Sequence, residues 1–277
     1  MNSSPGLIRK HPFAAYICIT YVISWAIEIP LALKAQGITE NSPPFAIHYL
    51  AAFGPFFGGL IITWILNGSE GLRELWSRTI RWRVAPVWWL VALSPILLFL
   101  LGAIVMRLVQ GVWVDFSILN HFDFLPDIGV LVILVWLVTY GFGEEIGWRG
   151  FFLPRLQHGR SPWSATVILW LVWAAWHVPS FFYLHTASNA GALFGFLIGV
   201  LAGAIFLTWL YNNSGGSVLL VAVWHGLFDY TTACTECKSG AIAAGLSTLV
   251  MVWAMFILLK HKSTLSRFQK HSIPPKI

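Results

Sequence analysis

The residues best suited to chemistry are six ionisable side chains that interrupt long apolar stretches of the chain. They are Glu144, Glu145, Arg149, His177, His225 and Asp229. Ionisable groups at membrane depth are rare and usually mark function. A carboxylate in an apolar setting can act as a general base, and imidazoles can share or donate protons. This combination therefore suits the activation of a water molecule for hydrolysis.

The two adjacent glutamates are expected to have different surroundings on a helix. Residues four apart share one helix face, so Glu145 and Arg149 are predicted to form an ion pair. Glu144 is turned about 100° from Glu145 by the 3.6-residue repeat and lacks this partner. We therefore predict that Glu145 and Arg149 support the site and that Glu144 is reactive. The simpler alternative is that Glu144 ends its helix near the headgroups.

The spacing along the chain predicts that these groups meet at one depth. Glu144 lies 16 residues before Arg160 and His177 lies 17 residues after it, so an antiparallel helix pair brings both to a similar height. His225 lies about 12 Å into its helix, at a rise of about 1.5 Å per residue. Asp229 follows one turn later on the same face. Three helices are thus expected to surround a buried polar cavity.

The composition places the chain among membrane proteins. Its 277 residues are 57% hydrophobic and only 10% charged, with a mean hydropathy of +0.73, whereas soluble domains carry about 25% charged residues. The 16 Trp residues fit this class, because Trp favours membrane interfaces. The net charge of +6 does not indicate a nucleic-acid partner, because the basic residues flank apolar stretches.

Eight apolar stretches approach the length of about 20 residues that a transmembrane helix needs. They are residues 13–33, 45–66, 84–106, 127–153, 162–183, 191–211, 217–232 and 240–259. The sequence thus predicts an all-α, polytopic membrane protein of about eight helices, with residues 1–277 as a single membrane domain. The first span is expected to be a retained helix, because its apolar stretch is long for a signal peptide.

The segment between the second and third spans has a different pattern. Residues 68–83, GSEGLRELWSRTIRWR, alternate charges with Leu and Trp. This pattern predicts an amphipathic helix that lies on the membrane surface as a lipid-facing connector.

The distribution of basic residues predicts the orientation in the membrane. With eight spans, 14 of the 17 Lys and Arg residues fall on the side of the two termini, and Lys34, Arg107 and Lys238 fall on the other. Because Lys and Arg accumulate on cytoplasmic loops, both termini are predicted to be cytoplasmic. The membrane is the plasma membrane if the source is a bacterium.

The remaining polar and sulfur-containing residues receive simpler interpretations. Glu28 and His48 lie near the outer ends of their spans and are interpreted as interfacial groups. Cys18 is interpreted as a packing residue. Cys234 and Cys237 form a single C-x-x-C, for which a local disulfide and two ordinary thiols are both open, and no second pair completes a four-cysteine zinc site.

A catalytic metal is the alternative to metal-free activation of water. Two His and one Glu with an open position form a known zinc arrangement, so Glu144, His177 and His225 are the candidate ligands. The protease signature H-E-x-x-H is absent. The sequence is compatible with zinc, with another divalent metal and with no metal.

Three motifs resemble those of one family. EEIGWR has the form E-E-x-x-x-R, WAAWH stands where that family has F-x-x-x-H, and HGLFD has the form H-x-x-x-N/D. In order, spacing and helical setting, residues 126–232 resemble the catalytic core of the CPBP intramembrane proteases. These include the type II CAAX prenyl endopeptidases and the Abi and bacteriocin-immunity proteins. Trp173 replaces the usual Phe and is expected to be a packing residue.

The resemblance implies an intramembrane endopeptidase in which Glu144 and His177 activate the hydrolytic water. It also implies that His225 and Asp229 stabilise the oxyanion, while the paired carboxylate and guanidinium support the site. The family has been described both as metal-dependent and as using glutamate without metal. The implied partners are membrane lipid and a peptide or protein substrate, with or without a lipid modification, and no nucleic acid.

Two other classes fit the same polar residues. A transporter can use membrane carboxylates and histidines as a proton relay, although no internal repeat of paired halves is present to favour it. A non-catalytic immunity or scaffold protein is the other alternative. The presence of Glu144, His177 and His225 together weighs against it.

Overall fold

A computed structural model of the protein describes residues 6–119, 128–184, 189–232 and 240–260. These residues form helices and no β-strand, which confirms the predicted all-α class. The α-helices are α1 (Leu7–Lys10), α2 (Pro12–Ala35), α3 (Phe53–Thr79), α4 (Pro86–Ala92), α5 (Ser94–Gln110), α6 (Val132–Trp136), α7 (Leu153–Gln157), α8 (Pro162–Trp176), α9 (Ala190–Asn213), α10 (Val218–Thr232) and α11 (Ala241–Lys260).

The segment that carries the two glutamates is π-helical. Two π-helices, π1 (Leu137–Glu144) and π2 (Ile146–Phe152), join α6 to α7 in one continuous run. The helix therefore continues past Arg149, as the sequence predicts. A π-helix is closed by i→i+5 hydrogen bonds, is rare and occurs mostly at functional sites. Four 3₁₀-helices lie elsewhere, at Phe45–Ala52, Phe116–Leu119, Gly129–Leu131 and Pro179–Phe182.

Fewer helices than the eight predicted are long and apolar enough to cross a membrane. Among the described residues, five helices are long and apolar enough to span a membrane, or six if α4 and α5, bent by 60°, form one broken span. The two predicted spans that do not reach this criterion are 127–153 and 217–232. These two spans carry most of the ionisable residues of the candidate site. The first is divided between α- and π-helical turns, and the second contains α10, which has only 15 residues. Eight spans are thus not confirmed.

The predicted surface connector is the second half of α3, and one of its faces is buried. The backbone of Gly68 (φ 60°, ψ −150°) breaks the helix before it. Trp76 is 58% exposed, as expected for a lipid-facing residue, but Leu75 is only 2% exposed. Arg78 pairs with Glu74 at 2.6 Å, and its Nη1 also donates to the Gly150 carbonyl and the Tyr211 hydroxyl. The connector is therefore fastened to π2 and α9.

Glycines allow the site helices to pack at close range. A Cβ atom on Gly147 of π2 would overlap the carbonyl of Pro55 on α3. A Cβ atom on Gly141 of π1 would lie 2.6 Å from the carbonyl oxygen of Ala222 on α10. The π-helical run is thus held tightly between α3 and α10, and backbone contact of this kind is typical of helix packing in membranes.

The centre of the hydrophobic core lies around π2. Trp148, Phe151 and Phe152 are at most 1% exposed. Their rings surround Tyr16 of α2, with centroid distances of 5.7, 4.8 and 5.1 Å. Since these aromatic side chains alternate with the glutamates and Arg149 along one helical run, the polar residues are anchored in the most rigidly packed part of the fold.

The cysteines give one difference from expectation. Cys18 on α2 is exposed rather than packed inside the protein. The C-x-x-C of Cys234 and Cys237 lies outside the described residues.

Candidate active site

The ion pair expected from the spacing is present. Arg149 Nη1 donates to Glu145 Oε1 over 2.6 Å, and both side chains are fully buried. The guanidinium also lies over the ring of Trp173, 4.5 Å from its centroid. Arg149 is thus held by a carboxylate and by the face of an indole, an arrangement in which a cation and an aromatic ring attract each other.

His225 lies between two carboxylates rather than beside one. Its Nδ1 is 2.8 Å from Glu145 Oε1, and its Nε2 is 3.5 Å from Asp229 Oδ2. The pairing with Asp229 on α10 follows the i, i+4 spacing, whereas the contact with Glu145 joins α10 to the π-helical run. Asp229 keeps 24% of its side chain exposed, while His225 keeps only 7%. The ring therefore lies between a carboxylate of α10 and one of the π-helical run.

Glu144 is 2% exposed and has two partners that the sequence did not predict. The indole N–H groups of Trp148 and Trp173 both donate to its Oε2, over 3.3 and 2.8 Å. No other hydrogen bond to Glu144 is present among the described residues, so Oε1 is available to water. Glu144 therefore lacks an ion-pair partner, as expected, and is oriented instead by two neutral donors.

His177 lies immediately after the last residue of α8, where the helix ends. Its Nδ1 is 2.7 Å from the carbonyl oxygen of Trp173. A carbonyl oxygen only accepts, so Nδ1 carries the proton and Nε2 of the neutral ring is an acceptor. The rings of Trp176 and Phe196 flank the imidazole, with centroids 4.8 and 5.2 Å away. His177 is half-buried, and its Nε2 has no hydrogen-bond partner among the described residues.

Trp173 contacts both Glu144 and His177, which the residue spacing predicts to lie at one depth. It donates to Glu144, and its own carbonyl accepts from His177. Its ring also meets His225 edge-on, with centroids 5.4 Å apart. Glu144 and His177 have no direct hydrogen bond between them, and their connection runs through this one residue. The expectation that Trp173 only packs is therefore wrong.

The arrangement does not favour the alternative in which Glu144, His177 and His225 hold a metal ion. Within the described part of the chain, no group of three His, Cys, Asp or Glu side chains is arranged to hold a metal ion. Each ring nitrogen of His225 faces a carboxylate oxygen, which is an acceptor, so neither directs a lone pair at a metal. Of the three candidate ligands, only Glu144 Oε1 and His177 Nε2 have free acceptor positions.

A second polar network lies beside the site, where interfacial groups were expected. Tyr140 of π1 donates to His48 Nε2 over 2.7 Å, and His48 Nδ1 lies 2.6 Å from the Tyr183 hydroxyl. Tyr183 in turn donates to Glu28 over 3.1 Å. Glu28 and His48 are 2% and 8% exposed, so the prediction that both are interfacial is wrong. The network joins α2 and π1 to the segment that follows His177.

Comparisons with known proteins agree with this architecture. Residues 126–231 match the family model described as type II CAAX prenyl endopeptidase Rce1-like. This stretch contains all six ionisable residues of the site and Trp173. CAAX prenyl protease 2 of Methanococcus maripaludis is 24% identical over 259 residues, which are 89% of this chain and 93% of that protein. The predicted resemblance to type II CAAX prenyl endopeptidases is confirmed over residues 126–231, and the similarity supports a multi-pass membrane protease.

Proposed function

We propose that this protease cleaves a peptide bond near the carboxyl end of a CAAX-type protein at the membrane, with Glu144 and His177 as the residues that activate water. Residues 126–232 form the catalytic core in this proposal. The observation that supports it is that Trp173 hydrogen-bonds to both Glu144 and His177 and that these bonds leave Glu144 Oε1 and His177 Nε2 as acceptors.

The first step is the activation of water. A water molecule donates one hydrogen bond to Glu144 and the other to His177 Nε2. These two bonds direct a lone pair of the water oxygen at the scissile carbonyl carbon. Glu144 removes a proton as the new C–O bond forms, and the electron pair of the carbonyl moves to oxygen. General-base assistance of this kind contributes about 10²–10⁴-fold to the rate.

His225 stabilises the oxyanion in the proposed second step. Its Nε2 is held loosely by Asp229 at 3.5 Å, so the N–H can turn its hydrogen bond toward a developing negative charge. Glu145 fixes the opposite nitrogen, and Arg149 in turn fixes Glu145. When the tetrahedral species collapses, the C–N bond breaks and Glu144 returns its proton to the leaving amine.

The substrate class follows from the relatives and from the setting. The matched relative is named a CAAX prenyl protease, and the resemblance implies removal of the last three residues from a prenylated CAAX protein. A lipid-modified chain end enters the bilayer and brings the neighbouring peptide to membrane depth. We therefore propose a lipid-modified CAAX protein or peptide as the substrate, with cytoplasmic termini of the protease and a plasma-membrane location in a bacterial source.

The direct test is hydrolysis by purified protein in detergent. The substrates are a farnesylated CAAX peptide and the same peptide without the lipid. Glu144→Gln and His177→Asn are each expected to lower kcat by about 10²-fold or more, because each removes one acceptor for the water. Glu70→Gln and His158→Asn change exposed residues of the same types and are the matched controls.

Four outcomes would count against the proposal. Unchanged cleavage by both site variants would show that water is activated elsewhere. Preference for the peptide without lipid would remove the proposed substrate class. Loss of activity with a chelator, restored by zinc, would contradict the metal-free mechanism. Absence of any cleavage, together with proton-coupled flux in liposomes, would favour a transporter.

A further inference from the structure

We propose that Trp173 is a positioning residue whose indole N–H orients Glu144 for its attack on water. The inference rests on the proposed function, because it assigns Trp173 a role only if Glu144 is the base. Trp173 is 5% exposed and lies on α8, whereas Glu144 lies on π1. The hydrogen bond between them crosses the site.

The geometry of this bond selects one carboxylate oxygen. Trp173 Nε1 lies 2.8 Å from Glu144 Oε2, and Trp148 Nε1 lies 3.3 Å from the same atom. Both donors therefore hold Oε2, and Oε1 is directed away from them. An N–H bond to a carboxylate is a charge-assisted bond, and the shorter of the two is the stronger. Trp173 thus contributes more than Trp148 to the orientation of the carboxylate.

The indole also keeps the cation of the site away from Glu144. Arg149 lies over the ring face, 4.5 Å from the centroid, while the ring edge donates to Glu144. Arg149 consequently pairs with Glu145 alone. An indole N–H is a neutral donor, so it orients a carboxylate without forming an ion pair with it. The Trp173 side chain thereby lies between the Arg149–Glu145 pair and Glu144, the proposed base.

The backbone of the same residue sets the proton position on His177. The Trp173 carbonyl accepts from His177 Nδ1 over 2.7 Å, which leaves Nε2 as the acceptor. A side-chain substitution at this position keeps the carbonyl. The effect of removing the indole N–H can therefore be measured without changing the proton on His177.

The sharpest test replaces Trp173 by 3-benzothienylalanine, in which sulfur replaces the indole N–H and the ring shape is retained. We expect kcat for the farnesylated peptide to fall about ten-fold or more, because a hydrogen bond to a charged group is lost. KM is expected to stay within about two-fold, since ground-state binding does not use this bond. Trp173→Phe, which removes the same donor with a smaller ring, is expected to lower kcat at least as much.

Trp170 provides the matched control on the same helix. Its Nε1 donates to the carbonyl of Leu197 over 3.0 Å, so 3-benzothienylalanine at Trp170 removes an equivalent bond away from Glu144. The kcat of this control is expected to equal that of the unmodified protein. Elution profile and melting temperature in detergent identify any variant whose loss of activity reflects unfolding, and the isosteric replacement keeps the packing.

The outcomes separate this inference from the function on which it rests. If Glu144→Gln is inactive while the benzothienyl variant at Trp173 keeps its kcat, the positioning role is wrong and the proposed base stands. If Glu144→Gln is fully active, the proposed function fails and the positioning role fails with it. A loss of kcat at Trp173 with equal loss at Trp170 would show a general effect of indole removal and would also overturn the inference.

Discussion

Glu144 and Glu145 are neighbours in the chain, yet the groups that hold them are of different kinds. Glu145 lies between a guanidinium and an imidazole, whereas Glu144 accepts from two indoles. Removing one partner of a buried ion pair leaves an uncompensated charge, which costs about 3–5 kcal/mol. At the scale of single residues, we therefore expect Glu145 to matter for stability, and we propose that Glu144 matters for reactivity.

Arg149→Met tests the structural half of this division. The variant leaves Glu145 buried with only His225 beside it, so we expect the free energy of unfolding to fall by about 3 kcal/mol. The measurement is the fraction of folded protein that survives heating in detergent. Glu74→Gln breaks the half-exposed pair with Arg78 and is expected to cost about 1 kcal/mol or less.

The double variant Glu145→Leu with Arg149→Met removes both members of the buried ion pair. Because the uncompensated charge is removed as well, it is expected to be more stable than Arg149→Met alone. A single variant as stable as the unmodified protein would show that the pair contributes nothing to the fold.

At the scale of elements, the π-helical run is the feature that brings the site together. It presents Glu144 and Glu145 to α8 and α10 while Gly147 allows its backbone to reach α3. The contact with Pro55 leaves no room for a side chain. The spacing between helices, and with it the distance across the cavity, therefore depends on a glycine that takes part in no chemistry.

Gly147→Ala is expected to separate π2 from α3. Overpacking of this kind costs about 1–3 kcal/mol or more, and each kcal/mol lowers the midpoint of thermal unfolding by about 2–4 °C. Heating in detergent followed by size-exclusion chromatography measures the change. Gly245→Ala on α11 is the control, because no atom lies within 4 Å of the added Cβ. Equal midpoints for the two variants would contradict the close-packing argument.

The helices and the Arg149–Glu145 pair could be predicted from the sequence, whereas the π-helices and the hydrogen bonds of Glu144 could not. Apolar runs placed the helices, and the i, i+4 rule placed Arg149 beside Glu145. Hydropathy does not distinguish i→i+5 from i→i+4 hydrogen bonding, so it does not predict the π-helices. The bond from Trp173 joins residues 29 positions apart and depends on how α8 meets π1. Trp148, four residues after Glu144, is the one partner that helical spacing could have indicated.

At the scale of the whole molecule, the carboxylates and His225 lie on the π-helical run and α10, and π1, π2 and α10 are each shorter than the long apolar helices α2, α9 and α11. α2, α9 and α11 meet the length and hydropathy of membrane-spanning helices, while α10 does not. A helix lined by protein on most sides needs fewer lipid-facing residues. The catalytic elements can therefore be polar because other helices supply the contact with the bilayer.

Reporter fusions in a bacterial host test the proposed orientation. Alkaline phosphatase joined to the carboxyl terminus is expected to be inactive, because a cytoplasmic terminus keeps it reduced. The same enzyme joined after Gln110 is expected to be active, because the third span ends there on the opposite side. Activity at the carboxyl terminus would show that the number of spans is odd or that the orientation is reversed.

The network of Glu28, His48, Tyr140 and Tyr183 has a consequence for evolution. Each member completes the hydrogen bonding of another, and a buried polar group without its partner costs about 1–3 kcal/mol. Loss of one member is therefore unfavourable, whereas joint replacement by apolar residues is nearly neutral. These four positions, far apart in the chain, are expected to co-vary among relatives, so that the network is inherited complete or is absent.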